Sequence, residues 1–361
     1  MRVDGSNGIV VVGGYGAVGR TVCAELAGRF PGRVFAAGRN PGRAEAFSRE
    51  TGGRVLPLRL DLADPDGAAG VLGGARVVVA CAETGDAAFA REVLGRGVHY
   101  VDVSASHAFL RRVEGLEALA RRCGATAVLS VGLVPGLTNL LARHCADVLG
   151  EEPRGVDISV LLGLGEAHGE EGIRWVVENL DKRFEAPGVR GSVSSLGDPR
   201  TTLFPGGFGG RACYRFDFAD QHVLARTLGS GRAATRLCFD SVAATRLLAL
   251  LKRTGALRVL RYWRTRDALV AFLSRLRFGS DGFAVVAEAE GKGGRRHSCR
   301  AWGRGEGRAT GVLAALVAGR LNASPPLDHG VFHVEQLFDP LEVFADAEGH
   351  GIISFDLGHV P

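Results

Sequence analysis

The sequence predicts an α/β protein, with an N-terminal doubly wound parallel sheet followed by a second α+β domain. Three observations carry this. Short, continuous apolar runs alternate with helical stretches through the first 150 residues, the signature of parallel strands covered on both faces. The first run passes through a burst of glycines into a helix, VVVGGYGAVGRTVCAELAG over residues 10–28. Beyond Gly150 the regular alternation stops.

Strands are expected over residues 9–12, 33–37, 54–60, 76–80, 98–103 and 126–131. Helices lie between them. In the first helix Val18, Val22 and Leu26 recur every fourth residue and share one face. Repeated strand–helix units give right-handed crossovers and a doubly wound sheet. Pro57 lies inside the third run, RVLPLRL. Proline cannot donate to a ladder, so this strand is expected at a sheet edge, as in the order 3-2-1-4-5-6.

From residue 151 the character changes. RGVDISVLLGLG reads as a strand and EEGIRWVVENLDKRF as a helix, followed by a glycine- and proline-rich stretch over 186–210. ACYRFDF, a helix near residues 221–227 and ATRLCFD come next. Arginine-rich helices then precede a hairpin made of GFAVVAEAEG and HSCRAWG, and the helix ATGVLAALVAGRL. The expected domains are 1–150 for a dinucleotide and 151–330 for substrate and dimerisation. Residues 331–361 form a C-terminal segment that either domain can claim, with a return to the first expected.

The 361 residues suffice for two domains with real cores. The opening MRVDGSNG contains no apolar leader core, and no uninterrupted apolar run reaches about 18 residues. Seven scattered cysteines form no CxxC pair. Buried free thiols in a reducing cytoplasm are therefore expected, with no disulfide framework and no metal site. The net charge is +5 and the pI about 9.0, with lysine only at 182, 252 and 292. The arginines are spread along the chain. The one local basic cluster, GKGGRRHSCR, falls at the hairpin turn. No nucleic-acid partner is expected from this pattern.

Gly14, Gly16 and Gly19 make GxGxxG directly after a strand and at the start of a helix. The first is expected to allow the tight turn, the second to admit a pyrophosphate, the third to let helix and strand pack closely. Tyr15, Ala17 and Val18 fill the motif, and the helix N-terminus offers free N–H groups to phosphate. This is a Rossmann-type arrangement. After the second strand, where an NAD enzyme places an acid for the ribose, the sequence has Gly38, Arg39, Asn40 and then Arg43. An acid repels a 2′-phosphate and arginine binds it, so the expected cofactor is NADP. Further contacts are expected at carboxyl ends of strands: Asp61 near adenine, Cys81 and Ala82 leaving room for ribose, then Ser104, Leu133 and Pro135.

With GGYGAVGR, GRNPGRA, GVHYVDVSA, VGLVPGLTNLLA and GEAHGEEGIRW in place, the chain resembles the saccharopine dehydrogenase (saccharopine reductase-like) family over residues 9 to 180. The resemblance implies an NADP-type Rossmann domain and a second domain built on a mixed sheet, with the active site between them. The motif set and this resemblance together point to a small polar amine or imine as substrate; a homodimer is expected, and, from the lack of a long apolar run, no membrane partner. Many members carry Ser or Thr, Gly and Glu after the fifth strand. Here Ser104 is followed by Ala105 and Ser106, so no acid role carries over. The family also holds diverged reductases of other amines, of lipid-type enoyl groups, and of secondary metabolism.

His168, in the glycine-flanked GEAHGEEG, is the candidate proton donor or substrate ligand because its ordinary pKa suits neutral pH. Glu166, Glu170 and Arg174 lie nearby. Asp217, Asp220 and His222 are candidates for a cationic amine, with helix capping an equal role for Asp220. Asp102 reads as a hydrogen-bonded structural group. The leading expectation is an NADP-dependent oxidoreductase of a C=N or secondary amine. Enoyl reduction, redox-neutral epimerisation and non-catalytic nucleotide-binding regulation stay open.

Overall fold

The computed structural model of the protein describes residues 7–64, 70, 72–82, 86–166, 170–273, 279–323 and 328–358. The chain divides into two compact units, 1–137 with 310–339 and 138–309 with 340–361. The strands in chain order are β1 (Gly8–Val12), β2 (Val34–Gly38), β3 (Val55–Arg59), β4 (Ala75–Ala80), β5 (His99–Asp102) and β6 (Thr126–Leu129). They continue with β7 (Gly155–Leu162), β8 (Arg183–Glu185), β9 (Ser192–Ser194), β10 (Arg200–Phe204), β11 (Gly209–Arg215) and β12 (Ala233–Phe239). The last are β13 (Gly282–Glu290), β14 (Arg296–Arg304), β15 (Gly330–His333) and β16 (Ile353–Asp356).

The first unit is a seven-stranded sheet in the order β15-β6-β5-β4-β1-β2-β3, with every pairing parallel. All five residues of β1 are buried, because helices on both faces leave such a strand no solvent side. Pro57 sits opposite Ala36 on β3, which is the sheet edge; its missing N–H faces outward at no cost to the ladder. The helix Ala17–Arg29 buries Val22, Cys23 and Leu26. Its Thr21 touches the helix Glu306–Ala323, where a Cβ on Gly311 would lie 2.6 Å from the Thr21 Cβ.

The second unit is also built on seven strands, in the order β10-β11-β12-β7-β13-β14-β16. Only the β7–β12 pairing is parallel; the other pairings are antiparallel, so the sheet is mixed. The glycine- and proline-rich stretch 186–210 contributes β9 and β10. Thr202 of β10 faces inward and bonds Ser159 of β7 at 2.8 Å, a tertiary gain that composition does not reveal.

The unit boundaries differ from those read in the sequence. The helix Thr138–Leu149 packs on β13 and β14 and goes with the second unit. Its apolar face, with Leu141 and Cys145 fully buried, finds its cover there. The C-terminal segment is shared: β15 extends the parallel sheet beside β6, and β16 pairs with β14.

The second unit holds charge in its interior. Asp157 on β7 pairs with Arg232 at 2.6 Å, Arg236 at 2.8 Å and Arg200 at 3.3 Å. Arg236 is nearly fully buried and also holds Asp198 at 2.7 Å. Asp220 lies in the first turn of the helix Ala219–Thr227 and is fully buried. Its Oδ1 accepts from the Thr235 hydroxyl at 2.6 Å and from the Gln221 N–H at 2.7 Å. Burial pushes its carboxyl up to about 6, against the opposing pull of those two donors. An acid whose pKa rises on folding binds its proton more tightly when folded. Its contribution is therefore present below about pH 4 and is lost as pH rises through about 6. Asp220→Asn does not titrate. Between about pH 4 and pH 7.5 the stability difference should move in favour of the Asn variant by on the order of 2 kcal/mol. Chemical denaturation of both proteins at the two pH values measures it, and a difference independent of pH contradicts it.

Candidate cofactor site

β1 is the point where the order of the parallel sheet reverses, with β2 on one side and β4 on the other. Open α/β sheets bind ligands outside the carboxyl ends of strands at such a switch point. The glycine motif leaves β1 there. The Gly13 N–H and the Gly14 N–H both donate to the Ala37 carbonyl at the end of β2, at 2.9 and 3.3 Å. The Cys81 N–H donates to the Val12 carbonyl at 3.0 Å. The end of β1 is thus tied to both neighbours.

The glycines divide their work differently from the sequence expectation. The turn residue is Gly13, with φ +73°, and not Gly14. Gly14 supplies close approach instead: a Cβ there would lie 2.7 Å from Ala36 Cα and 2.7 Å from the Val11 oxygen. Gly16 is the N-cap of the helix Ala17–Arg29, and its N–H donates to the Gly13 carbonyl at 2.8 Å. No side chain caps this helix, and its first turn, which holds Ala17 and Val18, has no acid. Its leading N–H groups and its partial positive charge are left for an anion. At Gly19 a Cβ would sit 2.2 Å from the Gly13 oxygen, so only glycine brings the helix this close to the turn.

The second side of the site is the end of β2. Gly38 faces Tyr15: a Cβ on Gly38 would lie 2.3 Å from the Tyr15 hydroxyl oxygen. That hydroxyl accepts from the Asn40 N–H at 3.0 Å. The Arg43 guanidinium lies over the Tyr15 ring, 5.0 Å from its centre. Arg39 is exposed and has no hydrogen bond or ion pair to a described residue. The Asn40 side chain accepts from the Arg43 N–H at 3.1 Å and caps the helix Pro41–Glu50. Its amide oxygen is therefore committed to the helix, and its part in the site is to place Arg43.

The remaining sequence candidates stand at carboxyl ends of strands in the same sheet. Asp61 follows β3 and accepts from the Ala63 N–H at 3.1 Å, shaping the turn. Cys81 and Ala82 follow β4 and border the turn: the Cβ position of Gly13 is 3.4 Å from the Cys81 carbonyl and 3.5 Å from Ala82. Burial, with the negative charge of Asp102 second, pushes the Cys81 thiol up to about 12. Ser104 follows β5; its N–H donates to Asp102 at 2.8 Å and its hydroxyl accepts from Ser106 at 3.1 Å. Asp102, also held by Tyr100 at 2.7 Å, is the structural group expected. Leu133 and Pro135 follow β6 in an irregular turn, with a cis bond before Pro135. The Leu133 N–H donates to the Thr310 hydroxyl at 3.1 Å. Gly13 and Thr310 are absent from the sequence candidates. Gly13 stood next to the recognised motif; Thr310 lies 177 residues from its partner and gave no local signal.

The substrate candidates are distributed differently. His168 lies outside the described residues. Glu166 accepts from the Gly307 N–H at 2.9 Å and caps the helix Glu306–Ala323. Arg174 pairs with Asp267. Asp217 is not available for a cationic amine, because Lys182 at 2.7 Å and His222 at 2.7 Å already hold its two oxygens. The carboxyl of Asp217 is lowered despite its burial, through its bonds to His222 and Lys182. His144, His297 and Cys299 have candidate ligand atoms within 4.8 Å of one another. His297 Nε2 donates to the Leu357 carbonyl at 2.8 Å and the Cys299 thiol donates to it at 3.3 Å.

These contacts predict a sharp difference between two glycines of one helix. Gly19→Ala forces the helix off the turn and should weaken NADPH binding by about tenfold or more. Gly28→Ala adds a Cβ that meets nothing within 4 Å and should leave binding unchanged while stabilising the helix by about 0.5–1 kcal/mol. Titration of NADPH and thermal melts of both variants measure this.

Residues 9–129 match the family model described as the saccharopine dehydrogenase NADP binding domain. Comparison with curated proteins by sequence returned no match. Among solved structures the chain is similar to apo saccharopine dehydrogenase (L-Glu forming) from Saccharomyces cerevisiae, at 16% identity and TM-score 0.66, over 98% of this chain and 100% of that one. It is similar at lower TM-scores to GenD2 of gentamicin A biosynthesis in complex with NAD (0.42, 15% identity, 99% and 98% covered). A probable dehydrogenase from Thermotoga maritima gives 0.44 at 8% identity, with 96% and 98% covered. The yeast enzyme shares this chain's fold. With the motif set and the matched domain in hand, residues 9–129 are identified as a saccharopine dehydrogenase-type NADP-binding domain, within a chain that has the fold of the yeast enzyme.

Proposed function

We propose that the protein is an NADP-dependent oxidoreductase that moves a hydride to the C=N carbon of an imine, or from the corresponding secondary amine, of a small polar metabolite. The observation that carries the cofactor preference is the end of β2. Residues 38–43, GRNPGR, contain no acid and present two arginines. Arg39 is exposed and unpaired among the described residues, and Arg43 is held against Tyr15. A 2′-phosphate gains charge-assisted bonds there, whereas a ribose hydroxyl finds no carboxylate to bond.

Each group in the site then has one task. The uncapped N-terminus of the helix Ala17–Arg29 receives the pyrophosphate, with Gly16 leaving room for it. Arg39 and Arg43 hold the 2′-phosphate. Asp61 lies toward the adenine, Cys81, Ala82 and Ser104 toward the ribose and nicotinamide, and Leu133 and Pro135 close the far end. When bound, NADPH supplies the hydride. The protein supplies position and a proton for the imine nitrogen, and His168 is the residue proposed to give that proton. A second copy of the chain completes the proposed homodimer.

The cofactor reading is tested by dissociation constants for NADPH and NADH. The native protein should prefer NADPH. Arg39→Asp should cost at least ~1.5 kcal/mol for NADPH, about tenfold, with little change for NADH. Equal affinities of the native protein for the two cofactors contradict the assignment.

The reaction is tested by NADPH consumption with a panel of cyclic imines, of keto acids supplied with amines, and of enones. Turnover of imines is expected. His168→Ala should lower kcat by about 10²-fold or more while NADPH affinity holds. Turnover of enones alone overturns the imine reading. Tight NADPH binding with no turnover of any substrate class replaces it with a regulatory one.

A further inference from the structure

The exposed apolar residues of the protein are concentrated in one place. Among the described residues, seven of the ten exposed large hydrophobic side chains lie between residues 242 and 272. They sit on three successive segments of the second unit: the helix Val242–Arg253, the short helix Ala256–Arg261 and the helix Trp263–Leu273. The first packs on the second and the second on the third. Tyr262 is 72% exposed, Trp263 62% and Phe272 60%. Leu247 and Leu250, each 55% exposed, stand three residues apart on one face of the first helix. Aromatic and aliphatic surface of this kind in a folded protein marks a contact site.

The acids around it are paired: Asp181 with Lys252 and Arg261, Glu178 with Arg266, and Asp267 with Arg174. Arg246, Arg253, Arg258 and Arg264 are exposed and make no ion pair with a described residue. Arg264 lies over the Trp263 ring at 5.3 Å. Arg261, also exposed, reaches Asp181 at 3.4 Å. Asp267 is the single acid between residues 242 and 273, and it is paired with Arg174. At the basic hairpin turn, by contrast, Lys292 pairs with Glu152, Arg295 with Glu151 and Arg296 with Glu290.

We infer that residues 242–273 dock the protein peripherally on an anionic membrane surface. Such a surface is the one occupant that satisfies both features. Anionic headgroups neutralise the unpaired arginines, and the boundary beneath them accepts Leu247, Leu250, Val259 and Phe272. Trp and Tyr favour that boundary because each has an apolar ring and a polar handle. A second copy of the chain placed on this face by a two-fold axis would set one arginine-rimmed face against another, with the one acid of residues 242–273 already paired with Arg174. A nucleic acid would match the arginines but leave the aliphatic side chains without a partner. No helix among the described residues is long and apolar enough to cross a membrane, so the contact is superficial. The inference departs from the sequence expectation of no membrane partner. It is independent of the cofactor assignment.

Sedimentation with vesicles tests it. The full chain should pellet with phosphatidylcholine vesicles containing about 30% phosphatidylglycerol, and should stay in solution with phosphatidylcholine alone. Binding should fall by about tenfold or more at 0.5 M salt, because screening removes the charge attraction. Trp263 is the exposed tryptophan, Trp175 and Trp302 being partly buried, so emission should shift to the blue on binding. The double variant Leu250→Ser, Trp263→Ser should lose pelleting and keep NADPH affinity. Since both side chains are exposed, retained NADPH binding reports a folded protein. Failure to pellet with anionic vesicles overturns the inference. So does a concentration-dependent dimer that the same variant abolishes, or binding to duplex DNA in place of vesicles.

Discussion

A Cβ at Gly19 would stand 2.2 Å from the Gly13 carbonyl oxygen, and much of the first unit depends on the closeness this glycine permits. The helix Ala17–Arg29 can leave β1 without a spacer because no side chain separates its first turn from the loop. Gly14 repeats the economy on the sheet side, touching Ala36 of β2. With helix and strand this tight, the helix N-terminus points at the switch point of the sheet. Its N–H groups then meet whatever anion lies beyond the strand ends. A methyl group at either position would displace the element that aims those donors.

The rest of the cofactor edge is held by bonds that belong to the protein itself. Asn40 caps a helix and so fixes Arg43; Tyr15 receives the Asn40 N–H and carries the Arg43 guanidinium on its ring. Asp102 holds the Ser104 N–H, and Thr310 receives the Leu133 N–H. None of these groups needs to touch a ligand to matter. They stiffen the strand ends, which is what a binding edge requires if the cofactor is not to spend its binding free energy on ordering loops.

The second unit handles charge in a different way. It sets the largely buried Asp157 among three arginines, of which Arg236 is itself buried, and the largely buried Asp217 between Lys182 and His222. Removing the cations would leave a largely buried carboxylate uncompensated, so these acids are committed to their partners. This explains why an acid that looks suited to a cationic substrate in the sequence is already spoken for in the fold. Asp220 takes the opposite course: with no cation on its oxygens, it answers burial by holding its proton more tightly. Against this matched interior, the unpaired arginines around Trp263 and Tyr262 stand out as charge left for something outside the chain.

The order of the parallel strands, the edge position of Pro57, the glycine turn and the arginines after β2 were all determined by the sequence. Each is a local matter: apolar runs, a ring without an N–H, missing side chains and missing acids act within a few residues of themselves. The same holds for the mixed character of the chain beyond residue 150. What the tertiary structure decided is whatever joins distant residues. The helix Thr138–Leu149 belongs with β13 and β14 because its buried face finds cover there, and no sequence signal marks that choice. β10 forms from a glycine-rich stretch because Ser159 and β11 await it. Gly13 rather than Gly14 takes the left-handed turn because Ala37 receives both N–H groups. Asn40, Asp217 and Glu166 are committed to protein partners that only folding brings near. A side chain's chemistry is written in the sequence; whether it is still free to use that chemistry depends on which neighbours folding sets beside it.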